Sequence, residues 1–142
     1  YGVKIDMWSL GAILAELLTG NVLFQNDSIP TMLARVAAIL GDFPESMTAE
    51  GKHAAKYFSR GDVYECPEPD EMHLLSPKRT SLRHRLHTDD KLFLSFVGSL
   101  LQIDPWRRPT AQQALQHPWI ATDPYSSNMP SEQSQPASAA PQ

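Results

Sequence analysis

Asp6-Met7-Trp8-Ser9-Leu10-Gly11 opens a run that continues through Ala12, Ile13, Leu14, Ala15, Glu16, Leu17 and Leu18 to Thr19. Apolar side chains at 7, 8, 10, 12, 13, 14, 15, 17 and 18 would surround most of a helix, and a helix of that kind belongs inside a protein. Gly20 follows where a residue of positive φ closes a helix, because glycine has no Cβ to clash. A carboxylate at the mouth of such a helix is costly to bury unless it accepts several hydrogen bonds, which helix N-termini and nearby backbone amides supply. Asp6 is thus expected at the rim of a buried scaffold.

Downstream, Asp27 or Ser28 offers an N-cap for a second helix, with Pro30 in its first turn and Met32, Leu33, Val36, Ile39 and Leu40 facing inward before Gly41 ends it. Phe93, Phe96, Val97, Leu100 and Leu101 keep the i, i+3, i+4, i+7, i+8 spacing of an amphipathic helix over roughly residues 89 to 102. Thr110 and Gln113 have the spacing of a capping box for a fourth helix, which closes before Pro118. From about 42 to 87 the periodicity lapses among Pro44, Pro67, Pro69 and Pro77, which predicts a long irregular insertion and no helix. Residues 121 to 142 turn to Ser, Pro, Gln and Ala with almost no large apolar side chain, the composition of a disordered tail.

A chain of 142 residues with 42% apolar content suits one domain with a genuine core. Its net charge of −4 lacks the basic excess with which nucleic-acid binders displace counterions, so no nucleic-acid partner is expected. Cys66 is the single cysteine, which excludes an internal disulfide and favours an intracellular setting, cytoplasmic or nuclear. The longest apolar stretch, Met7 to Leu18, is interrupted by Ser9 and Glu16 and is shorter than the ~20 residues that cross a bilayer, so no membrane span is expected. His84 and His87 stand three apart among cations that repel a divalent ion, and no metal site is expected. The chain begins at Tyr1 and reads as a fragment.

The opening run resembles the Asp-x-Trp-Ser-x-Gly signature of eukaryotic protein kinases, which begins the central helix of their C-terminal lobe. Asp104-Pro105-Trp106-Arg107-Arg108-Pro109-Thr110 resembles the family's Asp-Pro-x-x-Arg-Pro-Thr turn, and His117-Pro118-Trp119 its closing His-Pro-Trp. Leu23-Phe24, Leu40-Gly41-x-x-Pro44 and the long insertion are similar to the CMGC group. Tyr1 to Leu18 and Lys78 to Leu86 look most like the dual-specificity tyrosine-regulated (DYRK) kinases in a plant or algal form. The resemblance implies a mostly α fold, the C-terminal part of the helical lobe, with residues 1 to 120 as a partial kinase domain. It implies that Asp6 accepts from backbone amides of the catalytic loop. It also implies that Arg108 makes a bidentate ion pair with the glutamate of the Ala-Pro-Glu motif.

Phosphoryl transfer needs a glycine-rich loop, a lysine paired with a glutamate, a catalytic-loop aspartate and asparagine, and an Asp-Phe-Gly metal ligand. None of these motifs occurs in the chain, in which Gly41-Asp42-Phe43 has the wrong order. No catalytic, cofactor-binding or metal-binding residue is therefore assigned. ATP and magnesium are expected only in an intact kinase, whose remainder is the implied partner together with protein substrates. Asp6, Trp8, Gly11 and Arg108 are expected to support the active site structurally, although Asp is also a standard N-cap, Trp8 a good core residue and Arg108 of a type common in solvated turns. Asp6, Arg108 and the apolar face of the first helix are expected to lack their complements, leaving the isolated chain poorly soluble.

Lys78, Arg79, Arg83 and Arg85, with no acidic residue between Ser76 and Thr88, are candidate docking residues for an acidic or phosphorylated peptide. The competing expectation is that Asp62, Glu65, Glu68, Asp70 and Glu71 neutralise them across the insertion. Thr80 and Ser81, following Arg79, have the setting of phosphate acceptors for a basic-directed kinase. The alternative to a kinase piece is a stand-alone helical interaction module that keeps the scaffold without catalysis.

Overall fold

The computed structural model describes residues 2, 4–25, 27–68 and 71–121, so the expected tail beyond Ala121 lies outside the described residues. Helix α1 runs Ile5–Thr19 and stops at Gly20, whose φ of 70° lets its N–H return to the Glu16 carbonyl. Helix α2, Ile29–Leu40, starts on Ser28 rather than Asp27 because a reciprocal box forms there: the Ser28 hydroxyl accepts from Thr31 N–H, and the Thr31 hydroxyl accepts from Ser28 N–H. Val36 and Ile39 are buried and Met32, Leu33 and Leu40 half-buried, while the small residues Ala34 and Ala38 are buried beside them. Gly41 ends α2 with φ 103°.

The stretch from 42 to 87, expected to be irregular and without helix, is folded throughout much of its length. Helix α3 spans Glu45–Glu50, a 3-10 turn Ala54–Lys56, and helix α4 Leu82–Leu86. Strands β1 (Phe58–Ser59), β2 (Asp62–Glu65) and β3 (His73–Leu74) form an antiparallel sheet in the order β1-β2-β3. Its registers pair Phe58 with Val63 and Tyr64 with Leu74. Arg60-Gly61 turns the first hairpin with φ 52° and 90°, the twist that suits a tight two-residue connection. Elements of two to six residues are shorter than the window in which hydrophobic periodicity shows, so local caps and turns decide them.

Helix α5, Lys91–Leu100, is capped by Asp90, which accepts from Phe93 N–H and trims the expected 89–102 span. Phe93, Phe96, Val97, Leu100 and Leu101 are all buried. The Thr110/Gln113 capping box forms and opens α6, Ala111–Ala114. Pro118 then begins a further turn, α7 (Pro118–Ala121), where a stop was expected, since its fixed φ suits the first helical position. Trp119 on α7 meets Phe93 edge-on at 5.0 Å and stacks with Phe96 at 5.1 Å, tying the end of the domain to α5.

The core lies between α1 and α5. Met7, Gly11 and Ala15, four apart, form the buried stripe of α1, and α2 and α4 add Ile39 and Leu86. At Gly11 a Cβ would fall 2.9 Å from Cγ and Cδ2 of Leu101 and 3.0 Å from Cβ of Leu100, so the two elements meet at backbone distance. The other side of α1 is open. Leu10, Ile13, Leu17 and Leu18 are 39%, 52%, 76% and 49% exposed, although the residues all round this helix predict full burial.

Candidate functional site

Three backbone carbonyls and one indole hold Arg108. The side chain is only 6% exposed. Its Nε and Nη2 donate to the Gln102 carbonyl at 3.1 and 2.9 Å, Nη1 to the Lys4 carbonyl at 2.9 Å, and Nη2 also to Ile103 at 3.4 Å. Its Cζ lies 5.1 Å from the centroid of Trp8, and Phe24 stacks on Trp8 at 5.5 Å with planes 17° apart. Burial pulls the guanidinium below its ordinary pKa while the field of Asp104 pushes the other way, and the group remains a cation at any physiological pH.

This corrects the expectation that Arg108 lacks a complement in the chain. The fork finds carbonyls left over at the end of α5 and the start of α1, because the turn Asp104-Pro105-Trp106 folds back onto Lys4, whose Nζ donates to the Trp106 carbonyl. That turn is shaped by Trp106 N–H donating to the Asp104 carboxylate at 2.8 Å, and it leaves Arg107 exposed. No composition or spacing signal marks the carbonyls of Lys4, Gln102 and Ile103, since every residue carries one.

Asp6 sits in the first turn of α1 but does not cap it: Lys4 holds the cap position, with no side-chain hydrogen bond. Asp6 is exposed, and its carboxylate takes part in no hydrogen bond or ion pair among the described residues. Within this chain the carboxylate thus stands without a bonding partner among the described residues, at a helix mouth open to solvent. Close by, Ile5, Trp8, Phe24, Met32, Leu33 and Arg108 line an apolar recess of about 250 Å³. Trp8 thus lies against Arg108 at this recess, Gly11 packs on Leu100 and Leu101 on the buried stripe of α1, and Asp6 is exposed in the first turn of the same helix.

The four docking cations do not form one patch of free charge. Arg79 pairs with Asp42 and donates to the Ala37 carbonyl at 3.4 Å, while Arg83 pairs with Asp89. Neither uses the acidic run at 62 to 71, as one expectation had it: Arg79 is pinned at the end of α2, where Asp42 follows Gly41, and Asp89 lies three residues beyond the end of α4. Glu71 instead bonds His73 at 2.9 Å. Lys78 and Arg85 are exposed.

Among the described residues no three His, Cys, Asp or Glu side chains gather as metal ligands, and the recess beside Arg108 is apolar. No helix among them is long and apolar enough to cross a membrane.

A model of the protein kinase domain matches residues 1–120. The chain is 36% identical over 120 residues to dual specificity tyrosine-phosphorylation-regulated kinase 2 of Drosophila melanogaster, covering 84% of this chain and 17% of that protein. It is 36% identical to dual specificity tyrosine-phosphorylation-regulated kinase 3 of Rattus norvegicus (85% and 24%), and 36% identical to the serine/threonine-protein kinase AFC2 of Arabidopsis thaliana (82% and 29%). The chain therefore spans less than a third of each of these relatives. In three dimensions it resembles the MAP kinase LmaMPK10 from Leishmania major with TM-score 0.64 at 23% identity, over 82% of this chain and 31% of that one.

Proposed function

The chain belongs to the protein kinase domain family, and from that premise we propose that it forms the back of the helical lobe of a Ser/Thr or dual-specificity kinase. The open apolar side of α1, beside an unbonded rim carboxylate, carries this reading. A surface with Leu10, Ile13 and Leu17 in one row is what a lobe leaves when its catalytic-loop side is supplied by other residues. The similarity to kinases of the DYRK type supports a CMGC-group enzyme, in which the folded 42–87 stretch is the group's insertion. The relatives come from animal and plant sources alike, so a plant or algal form rests on the sequence resemblance alone.

In that enzyme, Asp6 anchors the catalytic loop, Arg108 supports it structurally by fastening the loop after α5 to the start of α1, and Trp8 and Gly11 pack α1 in place. ATP and magnesium bind elsewhere, the partners are the remainder of the kinase domain and protein substrates, and the setting is intracellular. By itself the chain transfers no phosphate. The second reading, a helical interaction module, draws on the same open side of α1.

A chimera tests the choice. When residues 1–120 replace the matching segment of a DYRK-type kinase, phosphotransfer persists, and Asp6→Ala lowers it about tenfold or more. A folded chimera without activity contradicts the kinase reading. Calorimetry of the 142-residue chain with magnesium-ATP is expected to show no binding, and metal-dependent affinity would contradict the assignment of those sites elsewhere.

A further inference from the structure

Thr80 and Ser81 stand side by side in the sequence, and the fold treats them oppositely. Thr80 is turned inward: its N–H donates to the Ala38 carbonyl at 2.9 Å, and its Oγ1 is buried with no hydrogen-bond partner. Ser81 is exposed, in extended backbone with φ −145° and ψ 159°, and its hydroxyl accepts from His84 N–H at 3.2 Å. Arg79 is exposed like Ser81, as the alternation of side chains along extended backbone requires when the residue between points inward. Lys78, Arg83 and Arg85 are exposed as well, and no acidic residue interrupts the segment between Ser76 and Thr88.

An accessible hydroxyl flanked on both sides by cations complements a modifying enzyme whose substrate cleft is acidic. We propose that Ser81, and not Thr80, is a phosphorylation site for a basic-directed protein kinase. The proposal does not depend on whether this chain belongs to an active enzyme. Ser81 Oγ attacks the γ-phosphorus of a nucleoside triphosphate held by the modifying kinase. The new O–P bond forms as the bond to the β,γ-bridging oxygen breaks, a nucleoside diphosphate leaves, and the hydroxyl proton passes to that enzyme's carboxylate base and on to solvent.

The product keeps an acceptor for His84 N–H and adds nearly two negative charges two residues from both Arg79 and Arg83. Those guanidinium groups now hold Asp42 and Asp89 in exposed pairs, which are weak. A phosphate competes for them with more charge and more acceptor oxygens. Arg79 is thereby drawn from Asp42 and from the Ala37 carbonyl, and the hold of residues 79 and 80 on the end of α2 loosens.

The test is to incubate the 142-residue chain with a recombinant basic-directed Ser/Thr kinase and ATP, and to locate the phosphate by mass spectrometry. Phosphate is expected on Ser81. Ser81→Ala removes it without moving it to Thr80, and Thr80→Val leaves the rate within about twofold, while Lys78→Ala with Arg85→Ala slows it about tenfold through lost charge complementarity. Phosphate on Thr80, no phosphate on Ser81, or a rate indifferent to the lost cations overturns the site. Amide exchange at Thr80 is expected to rise about tenfold on phosphorylation as its bond to Ala38 opens more often, and unchanged exchange overturns the loosening.

Discussion

Arg108 lies against Trp8, its guanidinium carbon 5.1 Å from the ring centroid, while its nitrogens reach the carbonyls of Lys4, Gln102 and Ile103. One side chain thus fastens the start of α1 to the loop after α5. A planar, permanently charged group with several donors is suited to that place, and a lysine is not.

Arg108→Lys keeps the charge and loses the fork. Its expected cost is about 2 kcal/mol, with a larger loss for Arg108→Ala because carbonyls are left unbonded in the interior. Urea unfolding of a kinase domain carrying this segment measures it. A midpoint unchanged for both variants contradicts the fastening role.

Gly11→Ala drives a methyl group into Leu100 and Leu101 at 2.9 to 3.0 Å and is expected to cost roughly 1–3 kcal/mol. Gly98→Ala is the control. There a Cβ meets only Leu82 Cδ2 at 3.7 Å, ordinary contact, and the better helix propensity of alanine stabilises α5 by up to about 1 kcal/mol. Thermal unfolding of the two variants should therefore move in opposite directions.

Asp6→Ala is expected to leave the helix content and the melting profile of the isolated chain unchanged by circular dichroism, because the carboxylate bonds nothing among the described residues. In the chimeric kinase the same change is expected to lower phosphotransfer by about tenfold or more, the scale of a lost charged hydrogen bond. Equal effects in both settings contradict a partner outside this chain.

Ile13→Lys with Leu17→Lys places charge on the open side of α1, where these residues are 52% and 76% exposed. Self-association of the isolated chain, read by sedimentation, is expected to fall. In the chimera the same pair is expected to prevent folding, since a buried unpaired charge costs several kcal/mol. A chimera that tolerates both lysines shows that nothing covers this side.

The sequence was most legible where one residue type has one physical use. Gly20 and Gly41 ended helices, Thr110 and Gln113 formed their box, and the α5 stripe was read without error. The short elements of 42–87 escaped because two strand residues or a five-residue helix carry no period, and their formation depends on neighbours such as α2. At the site, Trp8, Gly11 and Arg108 were visible through the motifs they sit in. What held Arg108 was not, since its acceptors are backbone carbonyls brought near by the turn at Asp104.

The most direct measurement is a thermal melt of the 142-residue chain, followed by circular dichroism and a hydrophobic dye and paired with sedimentation. With one side of α1 uncovered, the expected result is a dye-binding, self-associating species that loses helix over a broad range. A soluble monomer that binds no dye and unfolds in one sharp transition would mean that residues 1–121 complete their own core.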